Sequence, residues 1–244
     1  MKNFGLIGYP LTHSFSKSFF SKKFDEDGEN DVYYHNYEIK NINDFNSKIK
    51  KTKNLCGLNV TIPYKEKVIP YLDGIDQIAE IIGSVNVIKI SKNKFIGYNS
   101  DYLAFKNTLK KWLPNLNYSA LIFGSGGSSK AVQHALNELG MPFKIVSRKS
   151  SNKYISYDDL LNRSIYTEYK LMINTTPLGM YPNMDSSPNI NFDYINDQHF
   201  IYDLIYNPEL TELLKKSKSK GANIKNGLEM LYDQANISWE IWNK

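Results

Sequence analysis

Ser119-Ala-Leu-Ile-Phe-Gly-Ser-Gly-Gly-Ser-Ser-Lys-Ala131 decides how this chain is read. Ser119 to Phe123 is an apolar run of strand length. Gly124 to Ser128 is a glycine-rich turn, the residues from there to Leu139 read as a helix, and Phe143 to Ser147 reads as the next strand. The span 119–147 is therefore one βαβ unit. Gly124 permits a tight turn, and Gly126 lets the backbone approach a pyrophosphate. The helix N-terminus beyond offers free N–H groups and the positive end of its dipole. The spacing departs from G-x-G-x-x-G, because Ser129 stands where the third glycine would be and Gly127 is additional. A plain turn between strand and helix is the alternative.

The residues after this unit bear on the choice of nucleotide. An acid at the end of the second strand would bind a ribose 2′-hydroxyl. The chain has Ser147-Arg-Lys149 there instead. A guanidinium makes forked hydrogen bonds to phosphate, so Arg148 favours NADP over NAD unless it is simply a solvated loop arginine. Leu171 to Asn174 and Phe200 to Asp203 read as further strands, followed by the loops Thr175–Met180 and Leu204–Pro208. Gly227 to Trp242 reads as an amphipathic helix, with Gln234 facing inward among apolar neighbours.

The first hundred residues carry a second alternating pattern. Phe4 to Gly8, Tyr33 to Ile39 and Leu55 to Ile62 read as strands. Lys17 to Phe24, Ile42 to Lys51, Lys65 to Tyr71 and Gln77 to Ile82 read as helices. Val85 to Ile90 and Lys94 to Tyr98 read as a hairpin, and Tyr102 to Leu113 as a long helix. The pattern is that of a mostly parallel α/β layer. Within it, Asn59-Val-Thr-Ile-Pro-Tyr-Lys65 sets Asn59, Thr61 and Lys65 at the carboxyl end of a strand, where open α/β sheets hold ligands. Pro63 stops strand pairing, since it has no N–H. Lys65 then sits on what reads as the first turn of a helix. A solvated lysine is the plain alternative. Ser14 and Ser16 alternate about Phe15, so both hydroxyls can face one ligand. Asn86 is a polar residue on an otherwise Val/Ile strand, either a satisfied buried amide or a ligand contact. Asp101 opens the long helix, as an N-cap or as a functional carboxylate.

Composition narrows the function classes. The 244 residues suit two domains, and the single cysteine, Cys56, can form neither an internal disulfide nor a thiolate metal cluster. No apolar run approaches the roughly 18 residues of a membrane span. The N-terminus enters a strand directly, so the sequence predicts a cytoplasmic protein without a signal peptide. The net charge is +5, yet only Arg148 and Arg163 among thirty basic residues are arginines, and the lysines are thinly spread. That distribution argues against nucleic-acid binding.

Taken together these blocks resemble the shikimate/quinate dehydrogenase family. The resemblance runs over nearly the whole chain and is carried by Gly8–Ser16, Asn59–Lys65, Gly83–Asn86, Gly97–Asp101, Gly124–Ala131 and Gly227–Gln234. Asn174–Met180 and Asp203–Pro208 add to it. It implies an α/β protein of two domains. One is a substrate-binding and catalytic domain, residues 1–100 with the last helix, about 228–244. The other is a Rossmann-type NADP-binding domain, residues 101–227. It implies the reversible NADPH-dependent reduction of 3-dehydroshikimate to shikimate, with Lys65 and Asp101 as the catalytic pair. Ser14, Ser16 and Tyr206 would hold the substrate carboxylate, and Asn59, Thr61, Asn86, Asp101 and Gln234 its hydroxyls. Gly124, Ser125, Gly126, Gly127 and Ser128 would cradle the pyrophosphate, and Ser147, Arg148 and Lys149 the 2′-phosphate. Leu204 and the backbone of Gly227 would border the nicotinamide. No metal is expected, the only partner expected is the small-molecule substrate, and the state expected is monomer or homodimer. A quinate dehydrogenase using NAD, or a non-catalytic NADP-binding relative, is the alternative. The chain departs from the family where Lys17, Phe20 and Ser21 replace a usual proline and His-Asn pair. Ala104 also replaces a glycine, and Ser147-Arg-Lys149 replaces Asn-Arg-Thr.

Overall fold

The computed structural model describes residues 1–11, 15–147 and 154–244. The chain divides into two compact units, Met1–Ser100 with Ala235–Lys244, and Asp101–Gln234. The first is built from β1 (Lys2–Gly8), α1 (Phe15–Glu26), β2 (Val32–Glu38), β3 (Leu55–Val60), β4 (Gly74–Ile75), α2 (Gln77–Ile82), β5 (Val87–Ser91) and β6 (Lys94–Tyr98). Its sheet has the order β2-β1-β3-β5-β6-β4. The β1 strand runs parallel to both β2 and β3, whereas β5 is antiparallel to β3 and to β6. The pleat sorts β3 into two faces. Leu58 and Val60 pack with Ile7, Phe45, Ile49 and Ile88. Asn59 points the other way, to the face where Phe4, Leu6, Phe20, Phe24, Tyr34 and Trp242 form a second cluster.

The second unit is built from α3 (Asp101–Trp112), β7 (Ala120–Phe123), α4 (Gly127–Glu138), β8 (Phe143–Val146), β9 (Tyr154–Ile155), α5 (Arg163–Glu168), β10 (Leu171–Asn174), β11 (Phe200–Asp203), α6 (Glu212–Ser219) and β12 (Asn223–Lys225). The helix α7 (Leu228–Asn243) starts in this unit and ends in the first. The sheet order is β12-β11-β10-β7-β8-β9, with every pair parallel. Counted from β7, this is the order 3-2-1-4-5-6 of doubly wound dinucleotide folds, with its switch point between β7 and β10. All four residues of β7 are buried, as a strand covered on both faces requires.

Three expected local structures differ. Ile42 to Lys51 is not an amphipathic α-helix but a 3₁₀ turn, Ile42–Asp44, running into one π-helical turn, Phe45–Ile49. The Asn41 side chain accepts from the Asn43 N–H, and Ser47 and Thr52 return their hydroxyls to the backbone, which competes with regular helix. Lys65 to Tyr71 is a turn ending in the 3₁₀ segment Ile69–Tyr71. Pro70 has no N–H to give the Glu66 carbonyl, which accepts from the Ile69 N–H instead at 3.3 Å, so no α-helix forms. Helix α1 begins at Phe15, so Ser16 lies on its first turn rather than on extended chain.

Candidate active site

The end of β3 gathers the polar residues of the first unit. The strand carries Asn59 to its carboxyl end, where it is buried, and Thr61 and Lys65 follow half-buried. The backbone here is tied down on three sides. Thr61 N–H donates to the Ile7 carbonyl (2.9 Å), Val60 N–H to the Asn86 carbonyl (2.8 Å), and Val85 N–H to the Lys65 carbonyl (2.8 Å). The Tyr64 hydroxyl donates to the Ile39 carbonyl at 2.6 Å. Lys65 thus hangs on a turn fixed to β1, β3 and the Gly83–Asn86 loop.

A chain of buried side-chain hydrogen bonds runs behind these residues. The Tyr34 hydroxyl donates to Asn59 Oδ1 (2.8 Å) and accepts a hydrogen bond from Ser16. Burial pushes the Tyr34 phenol well above its usual range, and the Ser16 bond offsets only part of that. Asn59 Nδ2 donates to Ser238 Oγ at 2.9 Å, and the Ser238 and Ser100 hydroxyls lie 3.3 Å apart. Asn86 Nδ2 donates to Ser100 Oγ (2.9 Å), while Ser100 N–H donates to Asn86 Oδ1 (2.7 Å). Ser16, Asn59 and Asn86 are therefore brought into one network, whereas Ser14 lies outside the described residues. Sequence reasoning did not single out Tyr34, Ser100 or Ser238. Ser238 follows Gln234 by one helical turn, a spacing that places both on one side of α7.

The departures from the family motif separate cleanly. Lys17 and Ser21 are exposed on α1. Phe20 is fully buried and stacks on Tyr34, with ring centroids 4.7 Å apart and planes 12° apart. Ala104 is fully buried on α3.

In the second unit, Gly124 follows β7 with φ +103°. A Cβ at this position would meet Thr175 Oγ1 at 2.8 Å, because Thr175 crosses the switch point to donate its hydroxyl to the Phe123 carbonyl (2.6 Å). Gly126 caps the N-terminus of α4, and a Cβ there would meet nothing within 4 Å. The turn therefore leaves open space in front of the first N–H groups of a twelve-residue helix, with Ser125 and Gly126 exposed and Gly127 and Ser128 half-buried. That arrangement fits a pyrophosphate. Ser129, in the third glycine's place, is buried and accepts from Gln133 Nε2.

Ser147 follows β8, its N–H donating to the Ile155 carbonyl at 3.1 Å; Arg148 and Lys149 lie outside the described residues. Leu204 follows β11, and its carbonyl lies where any Cβ on Gly227 would stand. Gly227 N–H donates to the Ile205 carbonyl at 3.0 Å, which binds the start of α7 to the loop after β11. Behind that loop the Asp203 carboxylate is buried and accepts from Thr211 Oγ1 (2.7 Å), Asn174 Nδ2 (3.0 Å) and Ile205 N–H (3.0 Å). Desolvation outweighs these bonds and pushes its pKa up to about 6. Asp101 opens α3 and is buried. Tyr206 is half-buried, and burial raises its phenol pKa. Gln234 is half-buried rather than fully enclosed, with Nε2 donating to the Leu231 carbonyl. Asp101, Tyr206 and Gln234 belong to the second unit, and Ser16, Asn59, Thr61, Lys65 and Asn86 to the first. Among the described residues no cluster of His, Cys, Asp and Glu could hold a metal ion, and no helix is long and apolar enough to cross a membrane.

A sheet of order 3-2-1-4-5-6 with an open glycine turn at its switch point defines the dinucleotide-binding α/β class. A family model described as the shikimate dehydrogenase substrate binding domain matches residues 6–88. A relative from Methanococcus aeolicus, shikimate dehydrogenase (NADP(+)), is 37% identical over 99% of this chain and 91% of its own. The crystal structure of shikimate dehydrogenase 1 from Peptoclostridium difficile matches with a TM-score of 0.89 at 36% identity, covering 100% of this chain and 92% of that one. The shikimate 5-dehydrogenase of Thermus thermophilus, solved in complex with NADP(H) and shikimate, matches with a TM-score of 0.88 at 25% identity over 99% and 93% of the two chains. The chain belongs to the shikimate dehydrogenase family.

Proposed function

We propose that this protein is an NADP-dependent oxidoreductase that interconverts 3-dehydroshikimate and shikimate. The observation that carries the reading is the full-length family match, joined to a Lys65 turn anchored beside Asn59 and Asn86. NADPH, when bound, supplies a hydride equivalent to the ketone carbon. Gly124 to Ser128 with the first turn of α4 would hold its pyrophosphate, Ser147, Arg148 and Lys149 its 2′-phosphate, and Leu204 and Gly227 would border the nicotinamide. The Lys65 ammonium stabilises the negative charge that builds on the ketone oxygen and gives that oxygen its proton; in the reverse direction Lys65 takes the proton back. As the family resemblance implies, Asp101 would act with Lys65 as the second member of the catalytic pair. Ser14, Ser16 and Tyr206 hold the carboxylate, and Asn59, Thr61, Asn86 and Gln234 the hydroxyls.

On this reading the first unit with α7 is the substrate domain and the second the NADP domain. The protein acts in the cytoplasm, as a reduced lone thiol would suit, as monomer or homodimer. The test is reduction of NADP⁺ and of NAD⁺ with shikimate and with quinate, run side by side. Turnover of shikimate with NADP⁺ supports the reading. Preference for quinate with NAD⁺ replaces it with the related activity, and no turnover with any pair leaves a nucleotide-binding protein without catalysis.

A further inference from the structure

We propose that Tyr34 is a positioning residue for substrate binding, linking Ser16 to Asn59 through its hydroxyl and fixing which end of the Asn59 amide faces the ligand. The inference rests on the proposed function, because it names what sets the polarity of one of that site's side chains.

An asparagine side chain can turn over and exchange its acceptor for its donor at little steric cost, so its partners must decide the orientation. Here both ends of Asn59 are engaged. Oδ1 accepts from the Tyr34 hydroxyl at 2.8 Å. Nδ2 donates to Ser238 Oγ at 2.9 Å and reaches the Asn86 carbonyl at 3.5 Å. The group left for a ligand is the second lone pair of Oδ1. Asn59 therefore accepts from a hydroxyl, and an arriving carbonyl or ether oxygen finds no donor. Tyr34 is suited to hold that orientation because its own position is over-determined. The residue is 3% exposed, its ring is stacked on Phe20, and its hydroxyl is bonded at two points. Phe20, one of this chain's departures from the family motif, supplies the aromatic wall behind the Tyr34 ring. Through Ser238 and Ser100 the same chain of bonds reaches Asn86. One network thus sets Ser16, Asn59 and Asn86 together, and a change at its Tyr34 link is felt by all three.

The experiment compares wild type, Tyr34→Phe, Ser16→Ala and the double variant as purified proteins. KM for shikimate, KM for NADP⁺, kcat and thermal midpoint are measured for each. Phenylalanine keeps the ring and its stack on Phe20 and removes only the hydroxyl. Tyr34→Phe is expected to raise KM for shikimate about 5- to 30-fold, since it leaves the Asn59 acceptor and the Ser16 hydroxyl without their shared partner. The same variant should change kcat by less than about threefold and leave KM for NADP⁺ unchanged. The double variant should cost less than the product of the two single effects, because both changes remove the Ser16–Tyr34 link. Ser238→Ala, which frees the other end of the Asn59 amide, should raise KM for shikimate in the same direction. An unchanged KM for shikimate in an active Tyr34→Phe enzyme overturns the positioning role and leaves the function intact. So do additive effects of the two single changes, or losses that fall equally on shikimate and NADP⁺ with a lowered thermal midpoint. A wild type that does not turn over shikimate overturns the function, and the positioning role with it.

Discussion

The backbone N–H of Val85 donates to the carbonyl oxygen of Lys65 at 2.8 Å. Lys65 has no α-helix to hold it, and this bond to the Gly83–Asn86 loop takes a helix's place. The side chain that the proposed mechanism aims at one oxygen atom is thereby carried on a hydrogen-bonded backbone, which is what general acid catalysis asks of its donor.

Lys65→Ala should therefore lower kcat by about 10²–10⁴-fold with only a modest change in KM for shikimate. Steady-state kinetics in both directions check this, and a near-normal kcat would remove Lys65 from the proton-transfer role.

Two glycines of one turn should respond differently. Gly124→Ala forces a side chain into a positive-φ position facing Thr175 Oγ1 and should cost about 1–2 kcal/mol of stability. Gly126→Val places its side chain in open space, so stability should hold within about 0.5 kcal/mol while KM for NADP⁺ rises. Denaturant melts and cofactor titrations separate the two. If Gly126→Val binds NADP⁺ as the wild type does, the cradle lies elsewhere.

If Arg148 is the forked donor to the 2′-phosphate, as proposed, Arg148→Ala should collapse the preference for NADP⁺ over NAD⁺. The ratio of kcat/KM values with the two nucleotides is the readout, and an unchanged ratio assigns the phosphate to other residues.

Asp203 predicts a pH dependence of stability. Its folded pKa, pushed up to about 6, lies above the ordinary 3.8. Below 3.8 the group is protonated whether folded or unfolded. Between the two values the folded chain keeps a proton that the unfolded chain releases, so rising pH favours unfolding. The wild type should lose up to about 3 kcal/mol through this group between pH 4 and pH 7. Asp203→Asn loses an acceptor and should be less stable near pH 4, but the gap should narrow by that amount as pH rises. Urea melts at intervals across this range test it, and a constant gap would show that Asp203 does not titrate there.

The alternation of strands and helices was legible because each strand at the centre of a sheet is apolar on both faces, as in β7 and β10. Helix α2 was legible from its sequence pattern, and its structure has an Asp76 cap and a Gly83 stop. Segments governed by side-chain-to-backbone bonds were not. Asn41, Ser47 and Thr52 turned an apparent amphipathic helix into two short irregular turns, and Pro70 did the same after Lys65. Strands of two or three residues such as β4, β9 and β12 carry too few side chains for any periodicity to show. Helix α6 did have a signal, Thr211 ahead of Glu212-Leu-Leu, and Thr211 proves to cap it. At the site, motif spacing picked out Asn59, Asn86 and Ser16. It could not show that Tyr34 and Ser238 join them, since those contacts depend on which β2 residue turns inward and on a helix 179 positions along the chain from Asn59.

The passage of α7 from one unit into the other bears on synthesis. Ser238, which fixes one end of Asn59, and Trp242, whose indole N–H donates to the Ile88 carbonyl, leave the ribosome only after all of the second unit has been made. Units ordinarily fold in the order in which they emerge. Here the first hundred residues emerge before the helix that brings Trp242 to the cluster of Phe4, Phe20 and Phe24. The aromatic cluster of the first unit therefore gains its Trp242 only when translation is nearly complete. Completion of the first unit reports that the second has already been synthesised.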